Sequence, residues 1–308
     1  MNNNGYLKAV LVIGNGFDVD LGLETKYSDF AKSKEWETAY NENAGKSKCY
    51  SLLKYLNDRK ETDKWFDIEQ DLLEYAHVKT KDFWHHDIKT DISEYKIVCD
   101  TLGKYLENHI NAQSRNIADK RAIKLLRGFH SDNTAMKTYS FNFTSLEHIS
   151  KVAELLHFKS PCYMHGNVKD NTQILGIDTK SFGDIMPEYS FLIKSNNSHY
   201  QSTDIESDMM RAKEVIIYGH SLNMIDSVYF DDYLRELSSG KDNSRILTII
   251  TYNDDSRLQI LDNIRKLGIS VPKLYSYGHL EFILTKEIDD GNETERAKFD
   301  KLVERISK

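Results

Sequence analysis

Gly14, Asn15 and Gly16 follow directly on the apolar run Leu7 to Ile13, and Gly22 stands where a helix or its lead-in should begin. A strand that enters a helix through glycines lets the backbone approach a pyrophosphate, whose charge is favoured by the N–H groups at the helix start. The spacing Gly14-x-Gly16-x5-Gly22 is neither the dehydrogenase fingerprint nor a P-loop, so hydride transfer and ATP hydrolysis lose ground. A tight βα turn needs glycines for geometry alone, so the pair by itself is weak evidence. Asp18 and Asp20, taken alone, read as helix-start acids. Three further strand ends add weight. Asn142 ends the run Met136 to Phe141, His165-Gly166 ends Cys162 to Met164, and Gly219-His220-Ser221-Leu222 ends Val215 to Tyr218. Singly these are turn or capping residues. Together they bring groups suited to phosphate, ribose and proton chemistry to one edge of a sheet, the edge where such folds bind ligands.

The hydrophobic period shows which elements must hold these groups. Leu7 to Ile13 is nearly unbroken apolar sequence, the pattern of a parallel strand buried on both faces. From about Tyr50 to Phe129 apolar residues recur at helical spacing, as in Leu52, Leu53 and Leu56, then Ile68, Leu72, Leu73 and Tyr75, then Ile97, Leu102, Leu106 and Ile110, with no proline among them. That is too much helix for one crossover, so a helical insertion over 50–130 is expected beside the sheet. Strands are expected at Met136 to Phe141, Cys162 to Met164, Ile174 to Ile177, Glu214 to Tyr218, Arg245 to Tyr252 and Pro272 to Tyr277. Helices over Thr144 to Leu156, capped by Thr144, and over Asp226 to Leu237 and Asp254 to Leu267 alternate with them. Such alternation predicts an α/β fold with a Rossmann-like parallel sheet. The acidic stretch Glu287 to Glu295 reads as a solvated turn before a final helix, Arg296 to Ile306, and no linker divides residues 1–308.

Composition narrows the function classes. A net charge of -7 argues against nucleic acid as a partner, because phosphate neutralisation needs a basic face. The three cysteines, Cys49, Cys99 and Cys162, are too scattered for a metal knuckle or a disulfide framework, which suits a reducing cytoplasm. Met1 to Asn4 lack a signal-peptide pattern, and no apolar run approaches the roughly 18 residues of a membrane span. A cytoplasmic chain that neither enters a membrane nor binds a metal is expected.

The residues also resemble known motifs. Gly14-x-Gly16-x5-Gly22, Asn142 in Ser-Phe-Asn-Phe-Thr, His165-Gly166 and Gly219-His220-Ser221-Leu222 stand in the order of the sirtuin NAD-binding motifs, with Asn253 placed like that family's ribose-contacting asparagine. The run from Gly14 to Phe30, together with Trp65-Phe66-Asp67-Ile68-Glu69, looks more specifically like the AbiH family of bacteriophage abortive infection proteins. The resemblance implies a sirtuin-like NAD-binding core in a protein of antiviral defence, with one departure: three scattered cysteines cannot build the four-cysteine zinc module of sirtuin deacetylases. Without that module protein deacylation is not expected. Glu24 and Thr25 stand where the sirtuin loop continues with proline and aspartate, and Phe141 replaces the glutamine before the motif asparagine, which puts the ribose pocket in question.

The chemistry implied is hydrolysis of the nicotinamide–ribose bond of NAD. Its transition state is oxocarbenium-like, as in glycoside cleavage, and the leaving nicotinamide is already cationic. In this scheme Asn142 orients the attacking water or a ribose hydroxyl, and His165 accepts the proton. Gly14, Asn15, Gly16, Phe17, Gly22, Gly219 and Ser221 would form the dinucleotide site around the pyrophosphate, with Asp18 or Asp226 at a ribose hydroxyl and Asn253 beside it. Gly16→Val is expected to abolish binding while leaving the chain folded. Glu69 faces the site if the insertion covers the crevice; an exposed first-turn acid is the plainer alternative. The rival from another class is a non-catalytic sensor of NAD, ADP-ribose or another nucleotide; a phage-derived trigger and a homo-oligomer are compatible with either. A nuclease built on His85, His86 and Asp87 is disfavoured, because adjacent helical residues face different ways.

Overall fold

The computed structural model describes residues 6–46, 50–62, 67–81, 87–113, 117–130, 135–177 and 185–308, of which 61, 62, 111 and 112 only as backbone. Cys49, Trp65, Phe66, His85 and His86 lie outside the described residues. The chain forms two compact units. A sheet unit comprises Met1–Leu23, Gln113–Met164 and Ser202–Lys308, and a second, helical unit comprises Glu24–Ala112 and His165–Gln201.

The sheet unit is α/β with six parallel strands: β1 (Leu7–Ile13), β2 (Met136–Ser140), β3 (Cys162–Tyr163), β4 (Ala212–Tyr218), β5 (Ile246–Thr251) and β6 (Glu281–Leu284). Their order, β3-β2-β1-β4-β5-β6, is that of a Rossmann-like sheet, the fold class expected. β1 is central because every residue but Lys8 is buried and its β-branched side chains pack on both faces. Successive residues point to opposite faces. Val10, Val12, Val215 and Ile217 enter one apolar layer with Met209, Leu234 and Ile264. Leu11, Ile13, Ile216 and Ile250 enter the other with Phe17, Leu126, Ile149 and Leu302. Each such side chain contributes about 1.5–3 kcal/mol by leaving water.

Several expectations need correction. The segment Val271–Tyr277 is a helix with Pro272 in its first turn, not a strand, and the strand at that edge is β6. Ile174 to Ile177 makes a single bridge from Ile177 to Ile193 instead of a sheet strand. The acidic stretch is largely helical: Thr285–Asp289 and Glu293–Ser307 are helices, the latter capped by the Asn292 side chain, which accepts from Thr294 N–H at 3.0 Å. The helix after β2, Leu146–Val152, is capped by Ser145 rather than Thr144.

The second unit is built on Lys34–Asn43, Leu52–Thr62, Ile68–Lys81 and Ile88–Gln113. Its core is aromatic and polar together: Tyr75 and Tyr189 hydroxyls each donate to the buried Asp91 carboxylate at 2.7 Å. The helix Arg121–Phe129, within the stretch read as insertion, belongs to the sheet unit.

Candidate functional site

The chain runs outward from β1 to β3 and then crosses to β4, so the strand order reverses between β1 and β4. In open α/β sheets that reversal opens the ligand crevice at the carboxyl ends of the strands. Both strands end in glycine here, and the two loops touch through their backbones. Gly14 N–H donates to Tyr218 O, Gly16 N–H to Gly219 O and Gly219 N–H to Ile250 O, each at 2.9 Å. Gly219 has φ +67°, and a Cβ on Gly16 would lie 2.6 Å from its Cα. The glycines are therefore required by this close approach. Gly16→Val cannot leave the fold intact, contrary to the expectation from the sequence. Gly22, at φ 86°, ends the helix Asn15–Leu21 that follows the turn.

Asn142 follows β2 and is 6% exposed. Its Nδ2 donates to Gly14 O at 3.0 Å and its backbone N–H to Ser140 Oγ at 3.2 Å, so the amide is tied to the first glycine turn. Asp18 and Phe17 both turn inward with no exposed surface; Phe17 packs edge-on against Tyr218 at 5.3 Å. Thr144 Oγ1 donates to Asp18 Oδ2 at 2.9 Å, while Oδ1 is buried without a hydrogen bond of standard geometry among the described residues. Burial pushes the Asp18 carboxyl up to about 7, against the lowering effect of the Thr144 and Asn142 side chains.

A carboxyl raised in the folded state favours folding fully only below its unfolded value near 3.8, and that contribution is lost as pH climbs through about 7. Asp18→Asn removes this dependence. Between pH 5 and pH 8 its unfolding free energy relative to wild type should move in its favour by about 2–3 kcal/mol. Urea denaturation at the two pH values checks this; a constant difference would mean that Asp18 ionises as freely as a surface acid.

The loop after β4 contains a pairing that the sequence did not reveal. His220 Nδ1 accepts from Leu222 N–H at 3.0 Å, so Nε2 carries the proton and faces Asp226 Oδ2 at 3.4 Å. The imidazole packs against Phe141 and Phe230, with ring centres 4.5 and 5.1 Å away. Asp226, expected at a ribose, thus partners His220, and Asn253 caps the helix Asp254–Lys266 by accepting from Ser256 N–H at 3.0 Å. Asn15, the first residue of the helix Asn15–Leu21, and Ser221, in the loop after β4, are exposed.

His165 belongs to the second unit. There it is 3% exposed, with Nε2 3.2 Å from Lys194 Nζ. An ammonium only donates, so Nε2 is the acceptor and Nδ1 carries the proton. Lys194 also pairs with Glu69, at 3.0 Å to Oε1 and 3.1 Å to Oε2, and Gly176 N–H donates to Glu69 Oε1 at 3.2 Å. Glu69 is therefore a buried, paired carboxylate, not an exposed first-turn acid. No periodicity signals Lys194, which opens a single 3-10 turn, Lys194–Asn196.

Glycine turns meeting at the switch point of a 3-2-1-4-5-6 sheet, with an asparagine amide tied to the first, define a Rossmann-like α/β protein with its candidate ligand edge at β1 and β4. The chain belongs to the family described as bacteriophage abortive infection AbiH, whose profile matches residues 10–248. β6 and the terminal helix lie beyond the matched stretch. No curated protein and no solved structure matches the chain. Among the described residues no helix is long and apolar enough to cross a membrane.

Proposed function

We propose that the carboxyl edge of the sheet unit binds NAD and that the protein hydrolyses its nicotinamide–ribose bond during abortive infection. The observation that carries this is the contact between the two glycine turns at the β1/β4 reversal, with Asn142 anchored to Gly14. The order of the motif runs, which resembles that of sirtuins, supports NAD over other nucleotides. Asn15 at the helix start and Ser221 in the loop after β4, both exposed, would meet the pyrophosphate, while Asp18 and Phe17, being buried, would shape the turn from behind. The Asn142 amide orients the attacking water. Because the leaving nicotinamide is cationic, positioning supplies much of the acceleration. The proposal needs no role for His165.

The test is nicotinamide release from NAD by purified protein, with and without extract of phage-infected cells, beside calorimetric binding. Asn142→Ala should slow release by about 10²-fold while binding persists. Ser221→Asp sets a carboxylate against the pyrophosphate at an exposed position and should weaken NAD at least tenfold, by about 1.4 kcal/mol. NAD binding without release under any condition would replace the hydrolase by a sensor; no NAD binding would end the hydrolase and leave only a sensor of ADP-ribose or another nucleotide.

A further inference from the structure

Asp18 is a fully buried carboxyl group that the proposed reaction leaves without a role, five residues beyond the end of the strand that lines the crevice. A protein core rarely keeps such a group without full pairing, since an unpaired buried carboxylate is costly. Its Oδ2 accepts from Thr144, two residues beyond Asn142, and its Oδ1 lacks a standard hydrogen bond among the described residues. The loop that carries Asn142 is thereby pinned to Asp18 through Thr144, and the Asn142 side chain also lowers the pKa of that carboxyl.

The orientation of the Asn142 amide follows from this. Gly14 O can only accept, so the atom 3.0 Å from it must be Nδ2. With its NH2 group on Gly14 O, the amide presents Oδ1 on the side away from that carbonyl. Building on the proposed reaction, we infer that Asp18 is a positioning residue that, with Thr144, holds the Asn142 amide so that its oxygen faces the ligand. Asn142 then serves as a hydrogen-bond acceptor for a donor, either the attacking water or a ribose hydroxyl. The group it selects must carry an O–H, which a ligand lacking the free hydroxyl cannot offer.

The experiment uses the full chain labelled on asparagine side chains. The Asn142 Nδ2H2 resonances are assigned by their loss in Asn142→Ser, then compared in wild type, Asp18→Asn, Thr144→Val and Thr144→Ser. Asp18→Asn and Thr144→Val should shift them, and Thr144→Ser, which keeps the hydroxyl, should restore the wild-type positions. In steady-state NAD cleavage Asp18→Asn should lower kcat by about 10²-fold, as for a misplaced catalytic group, with KM within about twofold. Unmoved Asn142 resonances in an Asp18→Asn protein that melts like wild type would overturn the positioning role. Shifted resonances in a protein that cleaves no NAD would uphold it while rejecting the hydrolase reading, so the two failures are distinct.

Discussion

Gly219→Ala is expected to destabilise the sheet unit by about 2–5 kcal/mol, enough to unfold a marginal domain. Two separate costs combine at this position. Gly219 sits at φ +67°, where an L side chain costs about 1–2 kcal/mol, and a Cβ there would lie 2.4 Å from Phe17 N and 2.5 Å from Gly16 Cα. Both neighbours are backbone and cannot rotate away. Two controls separate the costs. Gly22 has φ +86° with nothing within 4 Å of its added Cβ, so Gly22→Ala reports strain alone, about 1 kcal/mol. Gly16 has helical backbone but a 2.6 Å approach to Gly219 Cα, so Gly16→Ala reports crowding alone, about 1–3 kcal/mol. Chemical denaturation of the three should rank Gly219→Ala as the most damaging. If it fell within error of Gly22→Ala, the two loops would not be packed as described, and the crevice assigned to the β1/β4 reversal would lose its basis.

Lys194→Met should destabilise the second unit by about 3–5 kcal/mol, because it strands a buried carboxylate without its cation. The Lys194 and Glu69 side chains are only 5% and 9% exposed, and the pair is bidentate. Pairs at the surface, such as Lys308 with Glu304, contribute at most about 1 kcal/mol. The discriminating variant is the double change Glu69→Leu with Lys194→Met. Removing both charges together avoids the stranded ion, so most of the lost stability should return, as buried pairs replaced by apolar groups often show. Thermal melting of the single and double variants measures it. A double variant as unstable as the single one would mean that the pair holds a polar network, including Gly176 and His165, whose other members also need it.

The central strand, the parallel sheet and the two glycine turns were legible in the sequence because each rests on local chemistry. Leu7 to Ile13 can only be buried on both faces, and Gly14 and Gly219 mark places where the chain needs a residue without a Cβ. Pro272 to Tyr277 does not declare its state locally, because Val271 and Leu274, three apart, suit a helix, while Pro272 fits a first turn as well as it bounds a strand. β6, at four residues, carries too little pattern to declare itself, and only its pairing with β5 makes it a strand. Inward placement was hidden for the same reason. Asp18 and Phe17 stand in the loop motif, yet helix Asn15–Leu21 turns both toward the core, where Thr144 and Tyr218 receive them. His220 meets Asp226 within one loop, and Lys194 meets Glu69 and His165 across long sequence separations that no local pattern reports. Residue type and spacing determined which residues could do chemistry at the strand ends. Which of them stay exposed and which are held by another buried side chain was decided by long-range packing, since a buried charge or amide must find its partner wherever the folded chain brings one.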